Sequence, residues 1–125
     1  MYDKQIIIAK WLENELSGNG CKEYLEKYEY KRVAIYGAGD IGRLLIVALR
    51  NCDMDPVCVI DRRANDIYDF EGLAVYTLQD FLNSDNEVDA IIVTILSSYD
   101  EIVKEVAKKR IDLPVMFFRD MIYEF

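Results

Sequence analysis

The chain has 125 residues, 52% of them hydrophobic and 30% charged, with two prolines and six glycines; this excludes a disordered or collagen-like chain and fits one domain able to fold without disulfides or a metal. A net charge of −8, from 15 Lys and Arg against 23 Asp and Glu, disfavours nucleic acid and anionic membranes, which attract basic patches. There is no histidine, and the three cysteines, Cys21, Cys52 and Cys58, have no C-x-x-C spacing, which leaves no Ser-His-Asp or Cys-His arrangement, no zinc site and no thioredoxin-like pair.

Ile7, Ile8, Trp11, Leu12 and Leu16 recur at helical spacing and predict an amphipathic helix. Ser17-Gly18-Asn19-Gly20 stops it, and Cys21, Tyr24, Leu25 and Tyr28 predict a second, short helix. Residues 1–30 therefore read as a helical hairpin, distinct from a domain over 31–125. Its apolar surface, Ile6 to Ile8 with Trp11, Tyr24 and Tyr28, either packs on the chain's own sheet or pairs two copies as a homodimer. No signal peptide is expected, because Lys10 interrupts the first apolar run.

From Lys31 the pattern becomes strand–helix alternation. Val33 to Tyr36 predicts a buried strand, Asp40 to Asn51 a helix with Ile41, Leu44, Leu45, Ala48 and Leu49 inward, and Val57 to Ile60 a second strand closed by Asp61. A polar loop from Arg62 to Glu71 follows. Gly72 to Tyr76 predicts a third strand and Leu78 to Leu82 a short helix. Val88 to Ile95, nearly all apolar, predicts a central strand covered on both faces. Ser98 with Glu101 predicts a capping box for a helix running to about Arg110. Leu113 to Phe118 predicts a fifth strand and Arg119 to Phe125 a last helical turn. About five β units joined by helices imply an α/β fold, a parallel sheet of order 3-2-1-4-5 with helices on both faces. The longest later apolar run, Ala90 to Leu96, is far short of the roughly 20 residues needed to cross a bilayer, so a cytoplasmic protein without membrane insertion is expected.

Gly37-Ala38-Gly39-Asp40-Ile41-Gly42 is G-x-G-x-x-G, set directly after a strand and opening a helix. Gly37 permits the tight turn, Gly39 lets the backbone approach a pyrophosphate, and Gly42 lets helix and strand pack. The helix start offers free N–H groups to the phosphates. Asp61, nineteen residues after Gly42 at the end of the second strand, stands where an acid bonds ribose hydroxyls in NAD-binding domains. Arg62 and Arg63 either form an exposed loop pair, stack on adenine or accept a 2′-phosphate. Asp61 would repel that phosphate, so NAD is favoured, with NADP or coenzyme A behind it. Thr94, Ser97 and Ser98 lie at the end of the fourth strand, beside the point where such sheets hold ligands; helix capping accounts for Ser98 without one. Asp40 faces the phosphate region and is expected to cap its helix. No catalytic group is evident: Tyr36, Tyr99, Asp100 and Lys104 are the nearby candidates, and no tyrosine is followed four residues later by lysine.

With Ile35-Tyr36-Gly37-Ala38-Gly39, Val59-Ile60-Asp61, Gly72-Leu73-Ala74-Val75-Tyr76 and Asp89-Ala90-Ile91-Ile92-Val93 in view, residues 31–120 resemble the small Rossmann NAD(P)- or CoA-binding-like domain of bacterial polysaccharide-biosynthesis proteins. That domain precedes the catalytic domain of nucleoside-diphosphate-sugar epimerases and dehydratases. The chain is similar, less closely, to the nucleotide half of redox-sensing repressors, without their winged helix. The resemblance implies that the glycines hold phosphates and Asp61 the ribose of a dinucleotide or nucleotide-sugar. The family's catalytic residues have no counterpart in this chain. Three readings follow: a binding module, an oxidoreductase or epimerase completed by oligomerisation, or an interaction module with a vestigial nucleotide site.

Overall fold

The computed structural model describes residues 4–124; Phe125 of the expected last turn lies outside them. The elements are α1 (Lys4–Leu16), α2 (Cys21–Lys27), β1 (Val33–Tyr36), α3 (Asp40–Arg50), β2 (Cys58–Ile60), β3 (Asp69–Phe70), β4 (Leu73–Tyr76), α4 (Leu78–Leu82), β5 (Ala90–Val93), α5 (Tyr99–Lys109), β6 (Val115–Phe117) and α6 (Phe118–Glu124).

One six-stranded sheet has the order β3-β4-β2-β1-β5-β6. The register sets Ile35 of β1 between Val59 and Ile92. β4, β2, β1, β5 and β6 are parallel neighbours. The order differs from the expected five strands by an added edge. β3, inside the segment expected to be loop, pairs antiparallel with β4. Glu71 and Gly72 join them, both with positive φ (54° and 81°), as a two-residue hairpin turn of the primed type demands. Asn or Asp usually stands where Glu71 does, so the turn carries no strong sequence signal.

Strand side chains alternate between two helical layers, as the pleat requires. Val33 and Ile35 face a cluster built with Ile7, Trp11, Leu25, Leu45, Leu49 and Met121, so α1, α2, α3 and α6 share one face. Ala34 and Tyr36 face Phe81, Leu82, Ile102 and Val106, so α4 and α5 cover the other. β1 is buried at every position because both faces are covered.

Three local expectations are corrected. On α1 the buried residues are Ile7, Trp11 and Asn14, while Leu12 and Leu16 are 58% and 79% exposed. Asn14 turns inward because its Nδ2 donates to the Ile122 carbonyl at 2.6 Å. Ser98 precedes α5 in the left-handed region (φ 62°) and its side chain caps nothing; hydroxyl capping needs an extended N-cap. Asp40 does not cap α3 either, since Gly39 occupies the N-cap. Among the described residues no helix is long and apolar enough to cross a membrane.

Candidate functional site

The G-x-G-x-x-G segment lies at the C-terminal ends of the strands, where β1 and β5 separate into helices α3 and α5. Gly37 has φ +121°, and a Cβ on it would strike the Thr94 hydroxyl. A Cβ on Gly42 would strike the carbonyl oxygen of Gly37. Both glycines are demanded by the fold, one by its dihedral and one by the close approach of helix to strand. Gly39 differs. Its φ of −120° is open to any residue, and a Cβ there would meet nothing within 4 Å. The N–H groups of Gly39, Asp40 and Ile41 have no acceptor among the described residues. The first turn of any helix leaves such donors, and an N-cap glycine supplies no side chain to fill them.

Asp61 is buried at the end of β2. Its Oδ2 accepts from the Ala38 N–H at 2.8 Å, and its Oδ1 accepts from the Arg63 N–H at 2.8 Å and from Arg63 Nε at 3.2 Å. An Arg63 guanidinium nitrogen also donates to the Ala38 carbonyl at 3.2 Å. The Ala38 peptide is thus gripped from both sides. Burial pulls the Asp61 carboxyl upward, but the N–H groups of Ala38 and Arg63 and the Arg63 charge outweigh it and hold it below its ordinary value. Arg62 is exposed. Its charge reaches the Tyr36 phenol, which burial raises most; Arg62 opposes that rise and Asp61 adds to it.

Thr94 ties β5 to the loop from inside. It is buried, and its hydroxyl donates to the Tyr36 carbonyl at 2.8 Å, so it braces the turn rather than facing outward. Ile41 is buried in the core. Asp40 is exposed, and Lys4 Nζ lies 2.8 Å from its Oδ2. The hydrogen bond and charge of Lys4 lower its carboxyl. The structure therefore brings Gly37 to Gly42, Asp61, Arg62, Arg63 and Thr94 together at one end of the sheet. Three features escaped the sequence: the grip on Ala38, the inward role of Thr94, and Lys4. Only the first had a signal. An Asp accepting from the N–H two residues on is an Asx turn, which Asp61-Arg62-Arg63 permits.

A cavity of about 450 Å³ lies beside this end, lined by Leu96, Ser97, Ser98, Tyr99 and Phe117 among others. Larger hollows of about 640 and 680 Å³ open at the opposite, N-terminal end of the strands, with Asp89 on both rims. Size favours those two. Chemistry favours the glycine end, since open α/β sheets hold ligands outside the carboxyl ends of their strands.

The C2185-like, N-terminal family matches residues 29–114. The chain belongs to that family. Its match spans β1 to the approach of β6 and leaves α1, α2 and α6 outside. No curated protein matches the chain. Among solved structures it is similar to UDP-N-acetylglucosamine 3-dehydrogenase GnnA from Acidithiobacillus ferrooxidans, at 16% identity and a TM-score of 0.52. The similarity covers 69% of this chain and 28% of that one, so the C2185-like chain spans under a third of the dehydrogenase. At that identity the likeness is one of fold: a Rossmann-like sheet with helices on both faces.

Proposed function

We propose that the chain is a nucleotide-binding module that holds a dinucleotide such as NAD(P), or a nucleotide-sugar, by its pyrophosphate at Gly37 to Gly42. The observation that carries this is Gly39. Unlike Gly37 and Gly42, it is required neither by its backbone angles nor by packing. An approaching phosphate does require it, because only a bare backbone leaves the adjacent N–H groups within reach.

Among the described residues, the candidates near the glycine end do not form a complete catalytic set. Tyr36 is packed in the core and its phenol is raised by burial. The Tyr99 hydroxyl donates to the Val115 carbonyl at 2.8 Å, and its ring stacks on Phe117. Asp100 and Lys104 are exposed along α5. A sugar-nucleotide setting, as in polysaccharide biosynthesis, is supported by the sequence resemblance and by the UDP-sugar dehydrogenase of like fold. Fold alone does not assign function, so the experiment addresses binding.

Calorimetric titration with NAD⁺, NADH, NADPH, coenzyme A and a UDP-sugar tests it. One ligand is expected to bind. Gly39→Leu is expected to abolish that binding while folding stability stays within about 0.5 kcal/mol, as for other open surface positions. Unchanged affinity in folded Gly39→Leu, or silence of the parent chain with all five ligands, overturns the reading. A second reading, association of two copies, is favoured by the outer face of α1, where Ile6, Leu12 and Leu16 are exposed.

A further inference from the structure

The acid that would meet a ribose diol is already engaged. Both oxygens of Asp61 accept hydrogen bonds from the chain itself, one from Ala38 and one twice from Arg63. Its negative charge is matched at contact distance by the Arg63 guanidinium, 3.2 Å away. A 2′,3′-diol offers two donors, and this carboxylate, with three of its roughly four acceptor sites occupied, has one left on Oδ2. The repulsion that would exclude a phosphate from this corner is likewise offset.

Arg62 is the charge left over. It is exposed and makes no hydrogen bond or ion pair with the described residues. Arg62 and Arg63 are the only lysines or arginines between Arg50 and Lys104 in a chain of net charge −8, and Arg63 is committed to Ala38 and Asp61. Arg62 is the second residue after β2 and adjoins Asp61 in sequence, beside the carboxylate on which the ribose end of a nucleotide would lie.

We propose that Arg62 reads a phosphate on the adenosine ribose, so that the site takes 2′- or 3′-phosphorylated adenine nucleotides, the class of NADP and coenzyme A, over the plain diol of NAD. This rests on the nucleotide reading above and reverses the preference for NAD drawn from Asp61. A phosphomonoester carries close to two negative charges near neutral pH. The forked guanidinium bonds such a group through two parallel donors, which a diol cannot match.

The test titrates the full chain with 5′-AMP, 2′,5′-ADP and 3′,5′-ADP, then with NAD⁺, NADP⁺ and coenzyme A. One bisphosphate is expected to bind at least about tenfold tighter than 5′-AMP, the range of one charge-assisted contact. Preference for the 2′ isomer identifies the NADP type, and for the 3′ isomer the coenzyme A type. Arg62→Ala, which breaks no hydrogen bond or ion pair with the described residues, is expected to bring the bisphosphates to within about twofold of 5′-AMP while the 5′-AMP affinity and the melting temperature hold. The preference is also expected to weaken with added salt. Equal binding of NAD⁺ and the phosphorylated dinucleotides, or a preference that survives Arg62→Ala, overturns the role of Arg62 and leaves the nucleotide reading standing. Silence with every nucleotide overturns both.

Discussion

The glycine end of the sheet and the layer formed by α1, α2 and α6 are built on different principles. At the glycine end the backbone is positioned by polar groups brought from 23 to 58 residues away in the chain: Asp61 and Arg63 hold Ala38, and Thr94 holds Tyr36. The N–H groups of Gly39, Asp40 and Ile41 there have no acceptor among the described residues. The three-helix layer instead buries large apolar groups. Trp11 meets Phe118 edge to face with ring centroids 4.9 Å apart. Asn14 reaches Ile122 across 108 residues of chain, and Tyr28 donates to Glu124 at 2.7 Å. The C2185-like match covers the first region and stops short of the second. One region is a candidate site supported by hydrogen bonds from side chains to backbone; the other is a buttress that joins α1 and α2 to α6.

The largest expected effect lies in the buttress. Phe118 is fully buried, and Phe118→Ala is expected to cost about 3–5 kcal/mol, the cost of a large cavity among rigid neighbours. Urea unfolding measures it. Since Phe118 lies far in sequence from the glycine loop, any nucleotide affinity of the fraction that remains folded is expected to be unchanged. A loss of affinity in step with stability would show that the two regions form one mechanical unit.

A smaller effect, of opposite character, is expected at Asp61. Asp61→Ala leaves the half-buried Ala38 N–H without its acceptor, at a cost of about 1 kcal/mol, while the exposed Arg63 guanidinium keeps its bond to the Ala38 carbonyl. The pH dependence has a definite sign. The carboxyl lies lower in the folded chain than in the unfolded one, so its stabilisation is fully present above the unfolded value, near 4. It is lost as pH falls through the lower folded value. The parent chain is therefore expected to lose stability on acidification below about pH 4 more steeply than Asp61→Asn, the isosteric control. Parallel acid unfolding curves for the two would show that the Asp61 charge does not hold the Ala38 peptide.

These two regions also differ in how far the sequence discloses them. The strands β1, β2 and β5 are short apolar runs between glycine, proline and acidic breaks, and their doubly covered burial follows from composition alone. The glycine motif and Asp61 were legible because their spacing is set by local geometry: a turn, a helix start and the end of the next strand. The use made of Asp61 was not. Whether a carboxylate faces a ligand or its own backbone depends on a few ångströms of loop placement, and no periodicity encodes that. The buttress was legible as helices and obscure as packing. Asn14 sits at a buried helical position, and nothing near it in sequence announces the Ile122 carbonyl that satisfies it. Leu12 and Leu16 have the right character for a core and lie on the wrong side of α1, because the helix follows Trp11 and Asn14 toward α6. β3 escaped for a simpler reason: two residues closed by Glu71-Gly72 are too short for an alternation to be seen.

The smallest expected effect on stability, and a direct probe of the buttress's outer side, comes from α1. Leu12 and Leu16 expose most of their surface, so Leu12→Ser with Leu16→Ser is expected to change folding stability by no more than about 0.5 kcal/mol per site. If that face pairs two copies, light scattering at rising concentration should show association in the parent chain and none in the double variant. The contrast is decisive because the inner face of the same helix is held by Ile7, Trp11 and Asn14, which the substitutions do not touch. A parent chain that stays monomeric throughout would mean that the layer outside the C2185-like match acts within one chain, fastening α1 and α2 to α6.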